Sequence, residues 1–356
     1  MTEKRRPQYQ ISVRKIYLFL LTLLILAGCV QPDTGTASRA PLNYGQEIRS
    51  TAVPYLLNLT EWEMNNLLRP DLPGESSPVM PGLQSRITRA LRENGIATFP
   101  PVRFRLENPP CLLVVSPRDR IAYFDRVMLR NGMTPADIEH VEQRVDALGF
   151  SSLVVELGGF GGAYPAIVSP DMSEKHVINA AVEEWAHQYL ALRPLGFLYL
   201  LDSIGIRQNP TVIEMNETLA GIIADEIGTQ VYETYCKIDA VNEGLPAGID
   251  FAAEMRLTRK TADAYLAEGR IAEAEQYMQG RRDFFNQNGY DIRKLNQAYF
   301  AFHGIYGQDP GSVSPVYEDM KTLRRGYHSL AGFMADVSAM TGYENLQRAL
   351  SGGLRQ

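Results

Sequence analysis

The chain has 356 residues, of which 45% are hydrophobic, and its formal net charge is −6 at pH 7. This length and apolar content supply enough core for one or two domains. Lys and Arg total 35 against 41 Asp and Glu, and the body of the chain has no basic cluster, which argues against nucleic acid as a partner.

The first thirty residues have the pattern of a secretory signal. Five basic residues precede or adjoin an uncharged apolar run over residues 16–27, which is too short to span a bilayer comfortably. The run ends in Leu26-Ala27-Gly28-Cys29, which resembles the lipobox cut by the bacterial lipoprotein signal peptidase. The resemblance implies removal of residues 1–28 and acyl chains on Cys29, which would anchor the chain in a lipid bilayer.

An uncleaved N-terminal membrane anchor is the alternative. Both interpretations put the body of the protein on the extracytoplasmic face of a membrane, in the cell envelope. Cleavage would remove five basic residues and one acidic residue, so the formal charge would fall from −6 to −10. Residues 29–41 are polar, contain proline and show no periodicity, which predicts a flexible tether. Residues 42–356 are expected to form one compact unit.

Two cysteines remain once Cys29 is assigned to lipid. A disulfide between Cys111 and Cys236 is permitted in an oxidising compartment. Two separate buried thiols are the alternative, and the sequence leaves both open.

The N-terminal part, residues 42–150, is predicted to combine helices with a short hairpin. The last of its helices has Thr134 as N-cap and Pro135 in its first turn. Two β-prone runs flank a pair of prolines, which predicts a hairpin. In chain order the elements are two helices within 44–96 on either side of 69–81, strands 102–106 and 111–116, and helices 118–130 and 135–149.

The central part, residues 151–240, is predicted to hold a strand, a glycine-rich turn, an extended segment and two long helices. Pro165 cannot donate a ladder hydrogen bond, which predicts that the extended segment is an edge strand. Thr211 and Glu214 have the spacing of a capping box, which predicts the start of the second helix. The elements are strand 153–157, turn 158–162, segment 163–168, helix 175–192 ended by Pro194, and helix 211–236.

The C-terminal part, residues 241–356, is predicted to be helical throughout. A helical hairpin over 251–289 turns at Gly269, and helices over 291–306 and 316–350 follow. The predicted class is therefore α+β and predominantly helical, with a small sheet ahead of the helices.

The first long helix contains three residues that could carry chemistry. Glu183 and His187 are four residues apart and Glu184 is three from His187, so all three share one helical face. This is the geometry of His-Glu-x-x-His, in which two ligands one turn apart bind zinc and the intervening Glu acts on a water. Glu183 replaces the first His, and a carboxylate can also bind zinc.

The second long helix offers one more acid, Glu217. It lies on one face with Ala220, Ala224 and Gly228. Small residues in such a stripe would let a neighbouring helix approach closely, so that Glu217 could reach a metal on the partner helix.

Four motifs follow one another in a fixed order over residues 150–310. They are Gly158-Gly159 with Ala163-Tyr164, Glu184-Trp-Ala-His187-Gln188, Asn216-Glu217, and Asn296-Gln297-Ala298 followed by Tyr306. Together they resemble the bacterial putative aminopeptidases of the gluzincin type, which are exported and often lipid-anchored chains of similar length. The resemblance implies a zincin-like fold and a metal-dependent peptidase that acts on peptides or proteins outside the cytoplasm.

The resemblance also implies a role for each matched residue. Glu184 would be the general base and Tyr306 an oxyanion donor. The implied metal ligands are Glu183, His187 and Glu217, and the implied substrate-binding residues are Gly159, Ala163 and Tyr164.

Glu183 departs from the family pattern and changes the expected metal. Two carboxylates and one His would make a divalent site formally neutral, where two His and one Glu leave +1. Zn²⁺ is the expected cofactor, and a site with two carboxylates could also favour the harder Mn²⁺. A catalytically inactive scaffold without metal is the main alternative function, and a purely structural envelope protein is a third.

We expect Cys29→Ala to abolish both lipid attachment and cleavage before residue 29, because the Cys29 sulfur would be the acylated atom. Mass spectrometry of the membrane fraction should then show the uncut, unacylated chain. Cys236→Ala is the matched control and should be processed like the unaltered chain. Acylated protein recovered from Cys29→Ala would contradict the lipobox interpretation.

Overall fold

The computed structural model describes residues 44–69, 82–203, 206–207, 209–236 and 248–352. The predicted signal peptide, the tether and Cys29 lie outside the described residues, as does most of the stretch 69–81. Within the described part, no helix combines the length and the apolar character needed to cross a membrane. This part is mostly helical and carries two small sheets, as the α+β prediction requires.

The N-terminal segment forms three helices where two were predicted. A 3₁₀ turn at Val53–Tyr55, with Pro54 in its first turn, separates the first two helices. Asn58 then caps the second helix by accepting a hydrogen bond from the Glu61 N–H. The helices are α1 (Tyr44–Thr51), α2 (Leu59–Leu68) and α3 (Leu83–Glu93).

The first sheet is antiparallel, in the order β3-β2-β4. The helix predicted over 118–130 is wrong, because β3 (Asp125–Leu129) lies there. Val127 and Leu129 alternate with less buried neighbours, and this period of two matches a strand with one buried face. The other strands are β2 (Cys111–Pro117) and β4 (Phe150–Glu156).

Helix α4 (Pro135–Asp146) connects β3 to β4. It begins as predicted, with Thr134 as N-cap and Pro135 in the first turn. Asp137 completes a capping box with Thr134, so the start of this helix is determined by local sequence.

The second sheet has the order β1-β6-β5. The predicted hairpin is wrong, because β1 (Phe104–Leu106) pairs in parallel with β6 (Ala166–Val168) and not with β2. Residues between β1 and β2 therefore carry the chain from one sheet to the other. Pro165 precedes the central strand β6, so the predicted edge is also misplaced. The edge strands are β1 and β5 (Gly159–Phe160), each of which pairs with β6 and with no other described strand.

Three helices follow the second sheet: α5 (Glu174–Leu190), α6 (Pro194–Ser203) and α7 (Pro210–Tyr235). Pro194 both follows α5 and begins α6. The predicted capping box at Thr211 is wrong, because the side chain of Asn209 accepts the hydrogen bond from the Val212 N–H. Pro210 then occupies the first helical position, where its missing N–H has no cost.

The C-terminal part contains the predicted helical hairpin, α8 (Phe251–Ala267) and α9 (Ile271–Gln287), which turns at Gly269 with φ +73°. The predicted helix 291–306 is shorter, at α10 (Gln297–His303). The predicted helix 316–350 is divided by new caps at Ser329 and Gly342. It forms α11 (Val316–Arg325), α12 (Leu330–Ser338) and α13 (Tyr343–Ser351).

The largest apolar core surrounds the packed helices α5 and α7 and includes the fully buried Trp185. The first sheet has a separate core on each face. Leu113 and Val154 face α1 and α4, whereas Val114 and Leu153 face α10. This second face directs α10, and the Tyr306 that follows it, toward the central helices.

Cys111 and Cys236 are free thiols that belong to different cores. Cys111 is buried in β2, and Cys236 is partly buried at the end of α7. The structure therefore has two separate thiols and not the disulfide.

Candidate metal centre

The three predicted metal ligands come together where α5 meets α7. Glu183 and His187 lie one turn apart on α5, and Glu217 lies on α7. Each offers one ligand atom, and these atoms all lie within 4.8 Å of one another. The three residues therefore form a group that could hold a metal ion, and we call this group the ligand cluster.

Small side chains allow α5 and α7 to approach closely. A Cβ atom at Gly228 of α7 would overlap the side-chain oxygen of Asn179 on α5. Ala220 and Ala224 are also buried on α7, as the predicted stripe of small residues requires. This approach brings the short side chain of Glu217 within reach of α5.

The spacing within the ligand cluster suits a small divalent cation. His187 Nε2 lies 3.4 Å from Glu217 Oε2, and the two side chains retain only 15% and 5% of their exposure. Zinc holds nitrogen and oxygen ligands at about 2.0–2.1 Å in a tetrahedron, which separates ligand atoms by about 3.4 Å. This pair therefore fits a cation without rearrangement.

The cluster carries unfavourable charge when no cation balances it. Burial raises the pKa of Glu183 to about 7 and that of Glu184 to about 8, because the charged carboxylates lose water. Burial lowers the pKa of His187, but the Glu217 carboxylate and the other two acids outweigh it and raise that pKa to about 9. A divalent cation would replace these bound protons, since metal ligands must be deprotonated.

Glu184 lies beside the ligand cluster and against the edge strand β5. The Gly161 N–H donates a hydrogen bond to its carboxylate. A Cβ atom at Gly159 would overlap Glu184 Oε1, and one at Gly161 would lie 2.7 Å from Oε2. A side chain at either position would displace the carboxylate that occupies this space, and we call the pair the glycine cradle.

Asn216 is fully buried beside the ligand cluster. Its Nδ2 lies 3.0 Å from His187 Nδ1, and its Oδ1 has no hydrogen-bond partner among the described residues. A half-turn of the amide would let Oδ1 accept from a protonated Nδ1. That tautomer leaves His187 Nε2 free as a ligand, which is how a buried carbonyl oxygen commonly orients a metal-binding His.

Three tyrosine hydroxyl groups lie near Glu217. Burial, and then the Glu217 carboxylate, raise the pKa values of Tyr199 and Tyr306 well above the ordinary value. Burial and Glu217 also raise the pKa of Tyr123, against the opposing charge of Arg126. All three hydroxyl groups are therefore protonated near neutral pH and able to donate hydrogen bonds.

The three residues predicted to bind substrate lie in different surroundings. Gly159 is on the edge strand β5. Ala163 is buried, and its carbonyl accepts a hydrogen bond from Gln188 Nε2 at 2.7 Å. Tyr164 is buried as well, and its hydroxyl donates to the Pro101 carbonyl at 3.4 Å. These two residues therefore support α5 and the sheet, and of the three only Gly159 adjoins Glu184.

Sequence reasoning missed Tyr123 and Tyr199. Tyr123 lies in the segment that was predicted to be a helix, and Tyr199 lies in a helix whose apolar neighbours indicate ordinary core. No local pattern distinguishes either residue. Asn216 had a weak signal, because it directly precedes Glu217 in the motif.

No model of a known protein family matches the chain. No curated protein and no solved structure gave a match either. The resemblance to gluzincin-type aminopeptidases therefore remains a prediction from the four motifs.

We expect Gly159→Ala to destabilise the fold by about 1–3 kcal/mol, because the new methyl group would displace the Glu184 carboxylate. Urea unfolding measures the change. Gly280→Ala is the control, since a Cβ there in α9 meets nothing within 4 Å and should stabilise the helix by up to about 1 kcal/mol.

The same substitution in a Glu184→Ala background tests whether the Glu184 carboxylate causes the loss of stability. The cost of Gly159→Ala should largely disappear when Glu184 is already alanine. Gly161→Ala should stay costly in that background, because its Cβ would also lie 2.8 Å from the Glu184 backbone oxygen. An equal cost of Gly159→Ala with and without the Glu184 side chain would contradict the cradle.

Proposed function

We propose that this chain is a membrane-anchored, metallopeptidase-like protein that hydrolyses peptides outside the cytoplasm. The observation that carries the proposal is the convergence of ligand atoms from Glu183, His187 and Glu217 within 4.8 Å, with Glu184 of α5 beside them and against the edge strand β5. The lipobox resemblance at Cys29 supports the anchor and the extracytoplasmic location. The order of the four motifs supports a zincin-like fold.

The ligand cluster is suited to hold one divalent cation through Glu183, His187 and Glu217. Zn²⁺ is the metal we propose, because the 3.4 Å separation of His187 Nε2 from Glu217 Oε2 matches tetrahedral zinc. The second carboxylate keeps Mn²⁺ as the other candidate. A bound cation would supply Lewis acidity toward a peptide carbonyl and the attacking water.

Glu184 is suited to act as the general base. Burial raises its pKa to about 8, and the Gly161 N–H holds its carboxylate in place. It would take a proton from the attacking water and deliver it to the leaving amine. A cation in the ligand cluster would oppose the effect of burial and favour the charged carboxylate, which is the form that accepts a proton.

Tyr306 is suited to donate a hydrogen bond to the oxyanion that develops on the substrate carbonyl. Its raised pKa keeps the phenol protonated, and its ring is held by Phe302 with ring centroids 5.4 Å apart. The charges of Glu217 and Glu183 both act on its hydroxyl, which supports a position facing the ligand cluster.

The edge strand β5 is suited to bind an extended peptide by adding it as a further strand. Gly159 and Phe160 pair only with β6 among the described strands, so their other side is where we propose that a substrate backbone pairs. Phe160 also contacts Trp62 of α2, edge to face, with ring centroids 5.5 Å apart. The two rings would form an apolar wall next to the strand.

A catalytically inactive scaffold is the second candidate. It is favoured by Glu183, which stands where the resembled family has its first His ligand. It is also favoured by charge, because a protonated His187 next to Glu217 makes an ion pair without any cation. Such a protein would keep the same arrangement of helices as a binding surface in the cell envelope.

Metal content tests the leading proposal. Residues 30–356, purified without chelator, should contain about one Zn²⁺ or Mn²⁺ per chain by elemental analysis, as one three-ligand site predicts. His187→Ala and Glu217→Ala should each lose it. His176→Ala is the matched control, because this residue is exposed on the same helix and its Nδ1 bonds the Ser173 hydroxyl.

Two outcomes would count against the enzyme. The unaltered chain could contain no metal even after incubation with Zn²⁺ and Mn²⁺, which would leave the scaffold as the better account. Alternatively, His187→Ala could retain the metal, which would show that the metal binds at other residues.

Glu184→Gln separates the two candidate functions. In the enzyme it should retain the metal and reduce peptide hydrolysis by about 100-fold or more, because a positioned general base contributes 10²–10⁴-fold. Glu174→Gln, at the exposed start of the same helix, should change neither. Unchanged hydrolysis in Glu184→Gln would rule out the general base.

The scaffold predicts a different response of Glu184→Gln, in the free energy of unfolding. The folded chain holds the Glu184 proton up to about pH 8, while the unfolded chain releases it near 4.5. The metal-free chain should therefore lose stability as pH rises between these values. Glu184→Gln should remove its own part of that slope, as urea unfolding across pH would show. Burial also raises the pKa values of Glu63, Glu183 and Glu214 to about 7, and these residues keep the rest of the slope.

A further inference from the structure

Tyr199 of α6 lies next to two of the three ligands, His187 and Glu217. Its ring stacks on the His187 imidazole, with centroids 5.7 Å apart and an angle of 18° between the planes. The rest of the side chain packs against the main core. The ring therefore limits the rotation of His187 about its side-chain bonds.

The other end of Tyr199 reaches the second ligand. After the larger effect of burial, the charge of the Glu217 carboxylate and a hydrogen bond to it raise the pKa of the Tyr199 phenol, which places the hydroxyl next to that carboxylate. Glu217 is 5% exposed, so few water molecules can replace a lost donor there. Arg126 lies behind this end, where its Nη2 donates to the Ser203 carbonyl at 2.6 Å, which fixes the end of α6.

We propose that Tyr199 is a positioning residue for metal binding, which holds Glu217 through its hydroxyl and His187 through its ring. The inference rests on the proposed function. Together the two contacts maintain the 3.4 Å separation of His187 Nε2 from Glu217 Oε2. A ligand pair fixed in advance binds a cation with less loss of side-chain freedom.

The other two tyrosines near Glu217 differ from Tyr199. Tyr306 packs on Phe302. Burial raises the pKa of its hydroxyl, and the charges of Glu217 and Glu183 raise it further. Tyr123 comes from the loop before β3. Among the described residues, Tyr199 alone has a ring contact with His187, so it alone joins the two ligands.

We therefore expect the hydroxyl of Tyr199 to increase the affinity of the ligand cluster for a metal ion. Removing a group that orients a metal ligand commonly lowers affinity by about 10- to 100-fold. Tyr306, by contrast, is proposed to act on the substrate, so its loss should leave metal affinity nearly unchanged. The two tyrosines can thus be told apart by one measurement.

The test compares Tyr199→Phe with Tyr189→Phe in the chain of residues 30–356. Zn²⁺ affinity is measured by competition with a chelator, and the Co²⁺ form is compared by its visible absorption spectrum. Tyr189→Phe is matched, because its ring likewise packs beside an aromatic neighbour, Trp185, and its hydroxyl accepts a hydrogen bond from Arg193 at 3.1 Å. Circular dichroism verifies that both variants fold.

We expect Tyr199→Phe to bind Zn²⁺ about 10- to 100-fold more weakly and to shift the Co²⁺ absorption bands. Tyr189→Phe and Tyr306→Phe should match the unaltered chain in both measurements. Affinity and spectrum that are unchanged in Tyr199→Phe would overturn the proposal, as would an equal loss in Tyr189→Phe.

A metal-free measurement keeps the proposal testable even if no metal binds. Tyr199→Phe and Glu217→Gln are combined in a double-mutant cycle of urea unfolding. If Tyr199 holds Glu217, the effect of Tyr199→Phe on the unfolding constant should be about 3-fold or more smaller in the Glu217→Gln background. Additive effects of the two substitutions would overturn the positioning role. If the chain binds no metal but the two substitutions are coupled, only the proposed function is refuted.

Discussion

The close contact between α5 and α7 is the constraint on which the candidate site depends. Ligands one turn apart on a single helix cannot surround a cation, so a third must come from another element. Glutamate reaches only a few ångströms from its backbone. Glu217 can join Glu183 and His187 because Gly228, packed on Asn179, lets the two helices approach. A larger residue there would overlap Asn179 and press on α5 without touching any ligand.

The arrangement has an electrostatic consequence. Three carboxylates and one imidazole are withdrawn from water together, which is costly unless positive charge balances them. The raised pKa values of Glu183 and Glu184 and of His187 express this cost, since bound protons supply the missing charge. A divalent cation would supply it more directly. The same residues are therefore consistent with a metal centre and, when protonated, with a stable metal-free scaffold. Glu183 is compatible with both, because a carboxylate can bind a cation but stands where the resembled family has a His.

The two sheets serve the site in different ways. The second sheet presents the short strand β5, where the glycine cradle leaves room for Glu184 and where Gly159 and Phe160 pair with β6 and with no other described strand. The first sheet packs on α10 and so directs Tyr306 toward Glu217. Helix α6 adds Tyr199 from a third direction. The cluster is thus enclosed by groups that are remote from one another along the chain.

The sequence by itself determined the features that depend on neighbours within a few residues. These include the predominantly helical α+β class, the start of α4 at Thr134, the helical hairpin at Gly269, and the shared face of Glu183, Glu184 and His187. The tertiary structure decided the pairing of β1 with β6, the strand β3 in place of a helix, and the positions of Tyr123 and Tyr199. The reason is physical: caps and helical faces follow from local hydrogen bonds and periodicity, whereas strand partners and the walls of a site depend on which distant segments share a core.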